Sequence, residues 1–146
     1  MEKLTEKIIG SWQLISWTFK NEKGEVVNYF GENPQGILMY DKNGKMNAQL
    51  MKSNRKKFES QAFNGGTASE MAEAFTSYLA YYGDYIENNP GEITHHVTGS
   101  LYPNWVGMNQ FRYGKINGDI LTLSTQPILS KGIETVFEVS WKKINN

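Results

Sequence analysis

Tight-turn signals constrain this chain more than any other feature. Asn43-Gly44 separates the β-like runs 36–41 and 45–52, and Asn117-Gly118 separates 110–116 from 119–125. Both dipeptides favour two-residue type I′ hairpin turns, whose central residues need positive φ. Asn89-Pro90-Gly91 divides 85–88 from 92–101 in the same manner. The run 10–19 is β-branched and aromatic and ends at the turn cluster 21–24, followed by a strand over 25–30 that stops at 31–34. A last strand over 133–144 alternates Ile133, Thr135, Phe137, Val139 and Trp141 with mostly polar neighbours. Short connections make neighbouring strands antiparallel.

One segment departs from this rhythm. Thr67-Ala68-Ser69-Glu70 fits a capping box. Met71, Phe75, Tyr78, Leu79 and Tyr82 then follow at helical spacing, with Gly83 as a stop, so the pattern predicts a helix over 67–82. A short helical turn is expected over 4–9. The stretch 53–66 reads as a polar loop, with Gly65-Gly66 a candidate hinge if the following helix covers the barrel mouth. The helix's apolar stripe requires cover, from the barrel mouth as a lid, from the barrel flank, or from a second copy in a homodimer.

About eight or nine strands in a meander favour an antiparallel up-and-down β-barrel, which removes sheet edges and can enclose a small ligand. A β-sandwich is the alternative architecture. At 146 residues the chain is expected to form one domain over 1–146.

Composition narrows the function classes. Fifteen Lys and Arg balance fifteen Asp and Glu, so no global field draws nucleic acid or an anionic membrane. The absence of cysteine excludes disulfides, thiol nucleophiles and cysteine metal sites. Residues 1–19 are too polar for a signal peptide, and no apolar run nears the roughly 20 residues of a membrane span. A cytoplasmic location follows as the expectation. No phosphate-binding loop, dinucleotide fingerprint or nucleophile elbow occurs, and no cofactor is expected. The basic run Lys52, Arg55, Lys56, Lys57 lacks interleaved aromatics and reads as a solvated loop. What is abundant is aromatic: 7 Phe, 8 Tyr and 4 Trp, 13% of the chain.

Several residues carry possible chemistry. His95 and His96, the two histidines, are adjacent and so face opposite sides of a strand, which excludes joint metal binding there. Whichever faces inward is either a satisfied core histidine or an acid/base group. Arg112, one of two arginines, ends a segment from 58 to 111 without a Lys or Arg that contains Glu59, Glu70, Glu73, Asp84, Glu87 and Glu92. It needs a carboxylate, carbonyls or an anionic ligand group. Tyr78, Tyr81, Tyr82 and Tyr85 each offer an apolar body with a polar tip. Asn47 with Gln49, and Gln110 with Arg112, form polar pairs on single strand faces.

Gly10-Ser11-Trp12 resembles the Gly-x-Trp opening of calycin barrels. Further motifs are Pro34-Gln35-Gly36 before a strand, Gly44 to Leu50, Tyr78-x-x-Tyr81-x-Gly83-x-Tyr85, His96-Val97-x-x-Ser100, Pro103-Asn104-Trp105-x-Gly107, Gln110-x-Arg112 and Val139-Ser140-Trp141. Together they resemble the bacterial and fungal lipocalin-like domain family. In the wider lipocalin pattern an arginine near the last strand packs on the first-strand tryptophan; here only Lys142 and Lys143 are available. The resemblance implies a barrel that binds a small hydrophobic or aromatic molecule as a carrier or sensor. It makes His96 the inward histidine and Tyr40, Asn47, Gln49, Tyr81, Tyr85, His96, Asn104, Trp105, Gln110 and Arg112 the candidate ligand contacts. The alternative is a cofactor-independent isomerase or cyclase with His96 as acid/base, Tyr85 as proton donor and Arg112 as oxyanion anchor.

Overall fold

The computed structural model describes residues 3–145. A short helix α1 (Leu4–Lys7) precedes β1 (Gly10–Lys20), β2 (Val26–Asn28), β3 (Gln35–Tyr40) and β4 (Lys45–Met51). Helix α2 (Ala68–Thr76) leads into β5 (Tyr78–Asn89), β6 (Glu92–Ser100), β7 (Asn109–Asn117) and β8 (Ile120–Thr125). A small hairpin of β9 (Ile128–Ser130) and β10 (Ile133–Thr135) comes before β11 (Phe137–Lys143). The sheet runs β11-β8-β7-β6-β5-β4-β3-β1-β2, and β11 also pairs with β1. Eight strands thus close into an antiparallel barrel, with β2 as an extra strand on β1.

Alternation decides which side chains enter. Met46, Ala48 and Leu50 of β4 point inward and are buried, between Lys45, Asn47, Gln49 and Met51. Trp12, Leu14, Leu38, Tyr40, Ile93, Val97, Leu121, Leu123 and Trp141 complete the wall and floor. Each fully buried large side chain contributes about 1.5–3 kcal/mol by leaving water.

The two ends of the barrel differ. The tight turns β3–β4, β5–β6 and β7–β8 lie at one end, beside the start of β1 and the end of β11. There Ile8 is fully buried, and the Trp12 indole N–H donates to its carbonyl at 2.8 Å. Lys143 supplies the cation over Trp12, its Nζ 4.7 Å from the ring centre, and also donates to the Ile9 carbonyl. Glu87 accepts from the Leu4, Thr5 and Gly91 amides, tying α1 to the barrel. These bonds hold its carboxyl below the usual carboxylate range against the opposing effect of desolvation. The opposite end carries the longer connections 29–34, 52–77, 101–108 and 126–136.

Four local expectations need correction. The helix occupies Ala68–Thr76 rather than 67–82, although its capping box forms as read. Tyr78, Leu79 and Tyr82 belong to β5, where Tyr82 opposes Asn47 of β4. Strand pairing outweighs a helical spacing carried by tyrosines, which favour sheets equally well. The two Gly turns are not type I′. Gly44 alone has positive φ in its turn, and Asn117 pairs with Ile120, leaving Gly118-Asp119 as the loop with only Gly118 positive (φ 64°), the II′ pattern. The final strand is interrupted at Val136, and Ile133 sits exposed in the β9–β10 hairpin. Arg55 is not merely solvated: it donates to Ser77 Oγ at 2.9 Å and the Ala74 carbonyl at 3.0 Å, capping the end of α2. Among the described residues no helix is long and apolar enough to cross a membrane.

Candidate functional site

The barrel interior holds a cavity of about 420 Å³ that opens at the end with the longer connections. Its mouth is aromatic because strand ends and adjoining loops bring rings together. Trp17 stacks on Tyr29 with centroids 4.5 Å apart and meets Phe30 edge-on at 4.8 Å. Across the opening, Trp105 meets Tyr81 edge-on at 5.4 Å. Phe75 and Thr76, at the end of α2, border the same opening with Leu129 of the β9–β10 hairpin. Phe75 is 46% exposed and α2 buries no residue, so the helix lies over the rim without an extensive packed face.

Deeper in, one polar cluster interrupts the apolar wall. Tyr40 Oη lies 2.7 Å from His95 Nε2, and Tyr81 Oη lies 2.8 Å from His95 Nδ1. A neutral imidazole has one N–H and one lone pair. One tyrosine therefore donates to the ring and the other accepts from it, leaving one hydroxyl proton of the pair free for a further partner. Burial, reinforced by the nearby Arg112 charge, pushes the His95 pKa down to about 3. The ring is neutral at physiological pH. Burial also raises Tyr81 and, more strongly, Tyr40; the Arg112 charge opposes both shifts, and at Tyr81 a hydrogen bond from Arg112 opposes it as well.

Arg112 projects inward from β7, between Ile93 of β6 and Thr125 of β8 in register, and among the described residues is the one charged residue lining the cavity. Its guanidinium donates to the Phe111 carbonyl at 2.9 Å. Among the described residues, no carboxylate lies within ion-pair distance of it; Lys45 and Asp84 form the ion pair on the barrel exterior. The Trp141 indole N–H, at a cavity-lining position, is buried without a protein partner.

The predicted contacts divide three ways. Tyr81, Trp105 and Arg112 line the cavity. Tyr40, Tyr85 and Gln110 share the inward phase without lining it; Tyr40 supports His95, while the Tyr85 hydroxyl donates to the Asp41 carbonyl near the closed end. Burial raises Tyr85 above the ordinary tyrosine pKa. Asn47, Gln49, His96 and Asn104 lie outside. Asn47 and Gln49 border a groove on the barrel exterior, and Tyr78 donates to Gln49. Asn104 is exposed in a 3-10 turn over Pro103–Trp105.

His96 is the principal correction. It is exposed and lies 2.8 Å from Asn109 Oδ1, whereas His95 is 1% exposed. The signal was present in the strand: Ile93 and Val97 flank His95 at two-residue spacing, while Thr94 and Thr98 flank His96. Trp17, Tyr29, Phe30, Tyr102 and Phe137 were missed because no local period shows which loop tips meet. Among the described residues no group of three or more His, Asp or Glu could hold a metal ion.

Residues 9–144 match the family described as a lipocalin-like domain. The chain is also 40% identical over 107 residues to a 4'-hydroxy-3'-methoxypropiophenone carrier protein of Aspergillus oryzae, covering 68% of this chain and 96% of that protein.

Proposed function

This chain belongs to the lipocalin-like domain family, and from that premise we propose that it is a cytoplasmic carrier or sensor for a small, mostly apolar or aromatic molecule. The observation carrying the reading is the 420 Å³ cavity, walled by aromatic and aliphatic side chains and open at one end. Pockets that seat small organic ligands have this size, with a few polar groups set in an apolar wall. The Tyr81–His95–Tyr40 cluster and Arg112 are the corresponding polar groups in our reading, with Trp105 and Tyr81 contacting the ligand. The carrier named for an aryl ketone adds support for an aromatic ligand. A chain without cysteine suits a reducing cytoplasm.

An isomerase or cyclase reading needs a group that exchanges protons with the ligand. His96 sits outside, and His95 has both ring nitrogens engaged and a pKa near 3. That arrangement favours an anchor over a general base.

Tryptophan fluorescence tests the proposal, since Trp17 and Trp105 stand at the mouth. Titration with 4'-hydroxy-3'-methoxypropiophenone, other aryl ketones and medium-chain fatty acids should quench emission saturably and raise the melting temperature. Absence of saturable binding across all three classes would overturn it.

A further inference from the structure

Among the described residues, Arg112 is a cation without an anionic partner, at the wall of a cavity that otherwise offers no charge. Its place is fixed by β7, where Gln110, Arg112, Gly114 and Ile116 form the inward phase. The bordering residues include Leu38, Leu50, Leu79, Tyr81, Leu123 and Val139, and none of the lining residues is Asp or Glu. Arg112 is half-buried at this wall, so its charge stays in place at physiological pH and is offered to whatever enters the cavity. Among the described residues the Phe111 carbonyl accepts from it, and the Tyr81 hydroxyl is its side-chain hydrogen-bond partner, so its contacts are neutral acceptors with no anion among them. Its field reaches the interior: it depresses His95 and opposes the upward shifts of Tyr40 and Tyr81. The Trp141 indole N–H is a buried donor without a protein acceptor among the described residues. Among the described residues the lining thus carries one cation and no carboxylate.

We propose that the ligand is a small aromatic or apolar monoanion, a carboxylate or an acidic phenol held as phenolate, seated with its charged oxygen on Arg112. The inference rests on the binding reading above and narrows it to a charge class. Guanidinium–oxyanion hydrogen bonds are among the strongest available in a low-dielectric site. The Tyr81 hydroxyl lines the same cavity beside Arg112, while the aromatic mouth covers the apolar body. A neutral ligand of equal shape would forgo that charge-assisted bond.

Two matched pairs test this by calorimetry: cinnamate against cinnamamide, and 4-nitrophenol against 4-nitroanisole. Each anionic member should bind at least about tenfold more tightly than its neutral partner, the scale of one charge-assisted hydrogen bond. Bound 4-nitrophenol should also show phenolate absorbance at a pH where the free phenol is mainly protonated. Arg112→Gln should abolish both preferences, and Arg112→Lys should restore part of them. The wild-type preference alone decides the matter should Arg112→Gln fold poorly. If cinnamate is preferred but nitrophenol is not, the class narrows to carboxylates. Equal binding of charged and neutral partners overturns the charge assignment and leaves the carrier reading standing. Failure of all four ligands, together with failure of the aryl ketones and fatty acids, overturns both.

Discussion

The two ends of this barrel are built on opposite plans. At the closed end tight turns, α1 and the Trp12–Lys143 pair bring backbone and side chains into saturated contact, with Ile8 and Trp12 almost wholly buried. At the open end aromatic rings face a cavity, α2 buries nothing, and large side chains such as Phe75 and Leu129 are left partly in water. The comparison teaches that stability and binding are drawn from separate parts of one β-meander. Regions with few buried contacts open at lower free energy than the core.

The largest expected effect tries to break that division directly. Trp12→Ala should cost about 3–5 kcal/mol, the usual range for truncating a buried tryptophan. Urea unfolding measures it, and a loss below about 1 kcal/mol would mean that the closed end does not carry the fold.

The His95 cluster lies between the ends and sharpens the contrast through pH. The unfolded chain protonates this histidine near pH 6.5, while the folded protein resists until about pH 3. Above pH 6.5 both states hold the neutral ring and it contributes no slope. As pH falls through this window the unfolded state binds a proton that the folded state excludes, so stability declines by about 1.4 kcal/mol per pH unit. From pH 6.5 to 5 the loss is about 2 kcal/mol, before the lowered carboxyls Glu70 and Glu87 begin to titrate. His95→Gln should flatten stability across that interval in chemical denaturation, whereas His96→Gln should preserve the His95-dependent fall. An unchanged slope in His95→Gln would show that the ring is not held neutral.

The smallest effect belongs to the rim. Phe75→Ala, at a position 46% exposed, should alter unfolding free energy by no more than about 0.5 kcal/mol. Hydrogen exchange should find the α2 amides less protected than those of β6 without ligand, with the gap closing when a bound molecule packs on Phe75. High, ligand-independent protection of α2 would make the helix part of the rigid scaffold.

Much of the closed end was legible in the sequence, and little of the open end was. Asn43-Gly44 and Asn117-Gly118 mark hairpins because φ restrictions are local, even though the turn types differ from expectation. Thr67 and Glu70 mark the start of α2 because a capping box spans four residues. The helix end was obscured by Tyr78, Leu79 and Tyr82, whose spacing fits a helix while their pairing with β4, remote in sequence, makes a strand. Asn47 and Gln49 were identified as sharing a face, but which face was inward required the phase of Met46, Ala48 and Leu50. For His95 and His96 the flanking Ile93 and Val97 held the answer. The mouth aromatics could not be grouped at all, since Trp17, Phe30, Trp105 and Phe137 meet only once the ring exists.

That ring is joined by one pairing unlike its neighbours: β1 meets β11, with Trp12 opposite Lys143, whereas the other barrel contacts join strands close in chain order. During synthesis β1 emerges first and must wait for its second neighbour. At roughly 5–20 residues per second, the nascent chain spends seconds to tens of seconds as an open sheet. Its two unpaired edges, on β1 and β8, are templates for other chains through that interval. A chain terminated before Phe137 keeps those edges permanently. The 7 residues of β11 thus decide whether the product is a sealed cylinder or a sheet that recruits its neighbours.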